Sequence, residues 1–226
     1  MKLIYEQRIT YALSKDTGKL MRITDVPNGL ACNCICSVCG ESLIARQGEK
    51  NRPSFAHKQG TTCNGHAAFE SMVHLLSKEI IGEYKALALP DYIDKTGEHR
   101  FYATTMPFSN VEIERTDDKS GKKPDCTGYV RINGNEIPIW IEINNTHSVE
   151  EDKRKYLQEN RIYCVEVDVS QFADEEEIDK DKLKKYLLED TNPFFRRWIN
   201  YPERPKQKKL TPYQIMVRQY RKNIRL

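Results

Sequence analysis

Five of the seven cysteines, Cys32, Cys34, Cys36, Cys39 and Cys63, crowd into a short stretch that also holds His57 and His66. Thiolates and imidazoles at close spacing are the donor set of zinc, and such clustering in a chain without a secretory leader favours metal over disulfides. Cys36-Ser37-Val38-Cys39-Gly40 has the form of a zinc knuckle, in which two thiolates meet one ion. His57 and Cys63 complete a tetrahedral Cys36, Cys39, His57, Cys63 set. Cys32 or Cys34 in place of a knuckle cysteine, and His66 in place of Cys63, compete with that choice. Four protein ligands leave no open position for substrate, so the expected zinc is structural.

A second chemistry is carried by two carboxylates. Asp125 follows Pro124 at the start of one expected strand, and Glu142 lies near the end of another. Paired strands can bring such groups to one end of a sheet, where hard oxygen ligands capture Mg²⁺. A divalent ion there could polarise a phosphodiester and acidify an attacking water. Glu142 sits among Ile139, Trp140, Ile141 and Ile143, where an unpaired carboxylate is costly, and this points to function. Asp125 alone also fits a turn-capping role.

The elements that must position these groups can be read from periodicity. Ile9 to Val26 reads as two strands around Lys15-Asp16-Thr17-Gly18, and 32–63 has the irregular character of a fold held by metal. Phe69, Val73, Leu76 and Ile80 recur at helical spacing in 67–86, aligning Glu70, His74 and Lys78 one turn apart on another face. His66, Glu70 and His74 do not make the H-E-x-x-H hydrolase motif, because the glutamate's spacing and order are wrong. Pro90-Asp91 is expected to end the helical region, and 91–110 has no clear assignment.

Val111–Arg115 reads as a strand. Cys126–Ile132 pairs with Ile137–Ile143 across Asn133-Gly134-Asn135, a strong hairpin signal. A charged helix (149–160) and a buried strand, Ile162–Val169, follow. The expected order is helix, three strands, helix, strand, in a mixed α+β or α/β chain. Its expected divisions are a hairpin and zinc module (1–66), a core (67–170) and a charged helical region with a basic tail (171–226).

With 226 residues, 38% hydrophobic and 31% charged, the chain can bury one moderate core plus a small stapled module. No apolar run approaches the ~20 residues that span a bilayer, and the N-terminus does not resemble a signal peptide, so a soluble, cytoplasmic protein is expected. The net charge is +3, yet residues 194–226 hold ten Lys/Arg against one acidic residue. A basic tail bearing aromatics suits a polyanion such as nucleic acid, and equally a solvated helix face.

Taken together, the motifs resemble the competence protein CoiA-like family, over roughly residues 9–170. The residues that carry the resemblance are Cys36-Ser37-Val38-Cys39, Ser54-Phe55-Ala56-His57, Glu70 with His74 and Lys78, Pro124-Asp125, Ile141-Glu142-Ile143-Asn144, and Lys153 with Tyr156. The resemblance implies a zinc module joined to a restriction-endonuclease-like, PD-(D/E)XK nuclease core acting on DNA. Asp125, Glu142 and the Ile143 carbonyl would hold Mg²⁺, or Mn²⁺ in its place. Glu70 would add a carboxylate, oriented by His74, and Asn144 would position water. Asn144 departs from the pattern, because lysine usually stands there, or glutamine in CoiA-like relatives; an amide can orient but cannot supply charge. Lys78 or Lys153 would supply it. Ser54 stands where the family often has a histidine, which makes Cys63 the natural replacement ligand.

Overall fold

The computed structural model describes residues 7–144 and 150–202. Three short strands open the chain: β1 (Tyr11–Ser14) pairs with β2 (Leu20–Arg22) and, on its other edge, with β3 (Cys34–Ile35). The expected hairpin is therefore widened by a strand running out of the cysteine segment. A second hairpin, β4 (Leu43–Arg46) with β5 (Ser54–His57), places His57 directly opposite Leu43.

Helix α1 (Gly65–Tyr84) begins where the Asn64 side chain accepts the His66 and Ala67 N–H groups, satisfying two of the donors a helix start leaves free. Phe69, Met72, Val73, Leu76 and Ile80 form its buried stripe. It stops at Lys85, whose left-handed backbone (φ 48°) returns its N–H to Ile81 O. Strand β6 (Ala86–Leu89) starts at once, so Pro90 ends a strand and not the helix. Between β6 and the main sheet lie β7 (Tyr92–Ile93), β8 (His99–Phe101) and β9 (Thr104–Pro107), paired as β6 with β9 and β7 with β8.

The main sheet has five strands in the order β10 (Asn110–Ile113), β11 (Cys126–Ile132), β12 (Asn135–Asn144), β13 (Tyr163–Asp168), β14 (Arg196–Asn200). Asn133 and Gly134, both at positive φ (51° and 81°), make the two-residue turn between β11 and β12. Strands β12 and β13 are parallel, and α2 (Glu151–Glu159) connects them; every other pairing in this sheet is antiparallel.

Alternation along the strands divides the sheet into two faces. Ile139, Ile141, Ile143, Val165 and Val167 join α1 in the large core, whereas Trp140, Cys164 and Ile199 pack against Leu157 of α2. Glu142 and Glu166 share the parity of Trp140 and Cys164, and so belong to the α2 face.

The segment after β13 holds a short α3 (Ser170–Ala173) and α4 (Lys180–Glu189), capped by Asp179. The first part of the expected helical tail is instead β14, an edge strand, with Arg196 buried beneath α4 and donating to the Ala88 and Tyr186 carbonyls. The arginine pair hid a strand because one of the two, Arg196, is stowed in the core. The rest of the basic tail, 203–226, lies outside the described residues. Among the described residues, no helix is long and apolar enough to cross a membrane.

Candidate zinc centre and carboxylate row

Four side chains from three elements converge at the base of α1. Cys36 and Cys39 flank a turn closed by the Gly40 N–H on Cys36 O at 3.0 Å, with Gly40 at φ 72°. His57 comes from the end of β5, and Cys63 from the residue before the α1 cap. Their ligand atoms all lie within 4.8 Å of one another. Cys36 Sγ and Cys63 Sγ are 3.8 Å apart, the edge expected of a tetrahedron with zinc–sulfur bonds of about 2.3 Å. Cys39 Sγ lies 3.3 Å from His57 Nε2. Burial, followed by the neighbouring Cys39 and Cys36, pushes the Cys63 thiol up to about 12, so holding Cys63 as a thiolate here calls for a cation. The donor chemistry fits a structural Zn²⁺.

The competing ligands are placed elsewhere. Cys32 Sγ donates to Leu43 O and Cys34 Sγ to Cys32 O, both buried in the core. His66 is on α1, 3.5 Å from Glu70. The Ser37 hydroxyl donates to Ser71 at 2.8 Å, joining the knuckle to α1.

Residues 30–66 match the N-terminal domain of competence protein CoiA. All four converging ligands fall inside that match. No curated protein matches the chain, and no solved structure does.

The carboxylates lie on the main sheet, Asp125 against His74 of α1 and Glu142 against Lys153 of α2. Asp125 stands one residue before the Cys126–Ile141 pair, which sets it beside Glu142. Its Oδ2 accepts the Ile143 N–H at 2.8 Å and its Oδ1 lies 3.1 Å from His74 Nε2. Burial alone would raise Asp125, but His74 and the Ile143 N–H outweigh it and hold the carboxyl below its usual value. Glu142 has the opposite balance. Burial pushes it up to about 7 against the pull of Lys153, with Asp125 and Glu166 adding to the rise.

Lys153, in the first turn of α2, brings Nζ to 2.6 Å from Glu142 Oε1. That contact pulls the Glu142 carboxyl down against its burial. Asn144 Oδ1 is buried without a hydrogen-bond partner among the described residues, and Asn144 has the same strand parity as Glu142. Lys78 is buried and pairs with Glu114, away from Glu142. His74 pairs with Asp125, and Glu70 lies 3.5 Å from His66. Among the described residues, only the Cys₃His set brings three or more Cys, His or carboxylate ligand atoms together.

Register extends the pair into a row across the whole sheet. The Glu114 N–H donates to Asp125 O, Asp125 neighbours Glu142, Glu142 faces Glu166, and Glu166 faces Arg197. Glu166 is 4% exposed and receives Arg197 Nε and a terminal guanidinium nitrogen, each at 2.7 Å. Sequence reasoning passed over Glu166 although Val165-Glu166-Val167 interrupts an apolar strand just as Glu142 does. Arg197 was hidden in the basic run.

Proposed function

We propose that the chain is a metal-dependent nuclease of the restriction-endonuclease-like, PD-(D/E)XK kind, hydrolysing DNA phosphodiester bonds, with its zinc module as a structural support. The observation that carries this reading is the adjacency of Asp125 and Glu142 on neighbouring strands, with Lys153 at 2.6 Å from Glu142.

Asp125, Glu142 and the Ile143 carbonyl would hold Mg²⁺ or Mn²⁺. The buried Glu142 carboxyl, pushed up to about 7 with Asp125 beside it, and an Asn144 Oδ1 buried without a hydrogen-bond partner among the described residues support a cation there. When bound, the ion would stabilise charge on the phosphate and acidify a water. Lys153 takes the role lysine usually has at the Asn144 position, supplying positive charge from α2. Asn144 orients water through its amide, and the Ile143 N–H fixes the Asp125 carboxylate. His74 holds the other Asp125 oxygen.

The second reading is a zinc-containing nucleic-acid-binding protein without catalysis. Asn144 in place of lysine supports it. DNA cleavage that needs added Mg²⁺ or Mn²⁺, and that Asp125→Ala abolishes with zinc retained, is the outcome expected of the nuclease. DNA binding without cleavage by the folded, zinc-loaded wild type would favour the binding protein.

A further inference from the structure

We infer that Arg197 forms a second phosphate subsite, so that the substrate is a polynucleotide strand lying across β12, β13 and β14 and not an isolated phosphodiester. The inference rests on the nuclease reading for its first subsite, at Asp125 and Glu142. Strands are spaced about 4.8 Å apart, so Arg197, two strands away, is about 10 Å from Glu142 along the row. That spacing is between backbones; the guanidinium itself rests on Glu166, one strand from Glu142, beside a phosphate held there and within reach of the neighbouring phosphate on the same strand.

The side chain is built for this contact. Arg197 and Arg196 are consecutive, yet Arg196 is buried while the Arg197 side chain is 55% exposed. Two nitrogens of the Arg197 guanidinium converge on a single oxygen of Glu166. A guanidinium carries five N–H donors in a rigid fork, so one edge is anchored by a buried carboxylate and the outer donors remain for an anion. Anchoring removes rotamer freedom before the phosphate arrives, which favours binding. A pair needed only to neutralise Glu166 would have no reason to affect DNA.

The test uses the full chain and a fluorescent single-stranded oligonucleotide, with binding measured by anisotropy over a range of salt without added divalent ion. Arg197→Ala removes an ion pair from the buried Glu166 and can fail to fold. The paired variant Glu166→Gln with Arg197→Gln keeps the net charge and a neutral side-chain pair in the same place. Circular dichroism and zinc content report that its fold is kept.

The paired variant is expected to bind several-fold more weakly, with the slope of log affinity against log salt shallower by about 0.7, the value of one single-strand phosphate contact. Equal affinity and slope in variant and wild type would overturn the subsite while leaving the nuclease reading standing. No binding by the wild type would also overturn the subsite, whereas the nuclease reading falls only if no cleavage occurs in Mg²⁺ or Mn²⁺.

Discussion

Glu142 and Lys153 meet at 2.6 Å although one ends a strand and the other opens the helix that follows it. The lysine is in the first turn of α2, the connection between two parallel strands, so the fold itself delivers the charge to the carboxylate. Lys153→Gln should lower Mg²⁺-dependent cleavage by roughly 10²–10³-fold, the effect of removing one preorganised electrostatic group. Steady-state kinetics would read it as a fall in kcat with little change in KM. A change in KM alone would assign Lys153 to ground-state binding instead.

The raised Glu142 carboxyl gives a pH dependence whose sign can be worked out. Its folded value, about 7, exceeds the ordinary glutamate value of 4.5, so the native state binds the proton more tightly than the unfolded chain does. The stability this contributes is complete below about 4.5 and is lost as pH rises toward 7. Without added divalent ions, Glu142→Gln should gain stability relative to wild type across that window. Chemical denaturation at pH 5 and pH 8 checks it, and a constant difference at the two values would show that Glu142 does not titrate there. Lys153, Asp125 and Glu166 are the charged groups around it.

The zinc centre makes a sharper prediction. Wild type should bind one equivalent of Zn²⁺, and Cys36→Ser or His57→Ala should lose it along with much of the cooperative unfolding. Cys32→Ala and His66→Ala should keep it, because neither side chain reaches the cluster. Metal analysis of the purified variants decides between the two groups.

The zinc ligands were legible because a metal site is written in residue type and short spacing. Periodicity also located α1 and the β11–β12 hairpin. The α1 end was not legible, since the left-handed Lys85 carries no glycine or asparagine signal, and a strand follows without a linker. Strand β14 was obscured by Arg196, which reads as a surface residue and is held in the core by backbone carbonyls. The row Glu114, Asp125, Glu142, Glu166, Arg197 joins positions up to 83 residues apart from Glu114 to Arg197, and only sheet register brings them together.

Packing on the sheet is tested at Gly128, where an added methyl would lie 2.7 Å from the Phe108 ring. Phe108 is itself buried, so the ring has little room to yield. Gly128→Ala should cost about 1–3 kcal/mol of stability, the usual range for overpacking, and lower the melting temperature. Wild-type stability would mean that Phe108 can swing away from β11.

The central claim is tested most directly by incubating labelled single- and double-stranded DNA with the zinc-loaded protein in Mg²⁺, in Mn²⁺ and without added divalent ion, alongside Glu142→Ala. Cleavage that requires the ion and disappears in the variant, with fold and zinc intact, is the predicted result. Cleavage that persists undiminished in Glu142→Ala, or none by wild type under any of these conditions, would contradict the account.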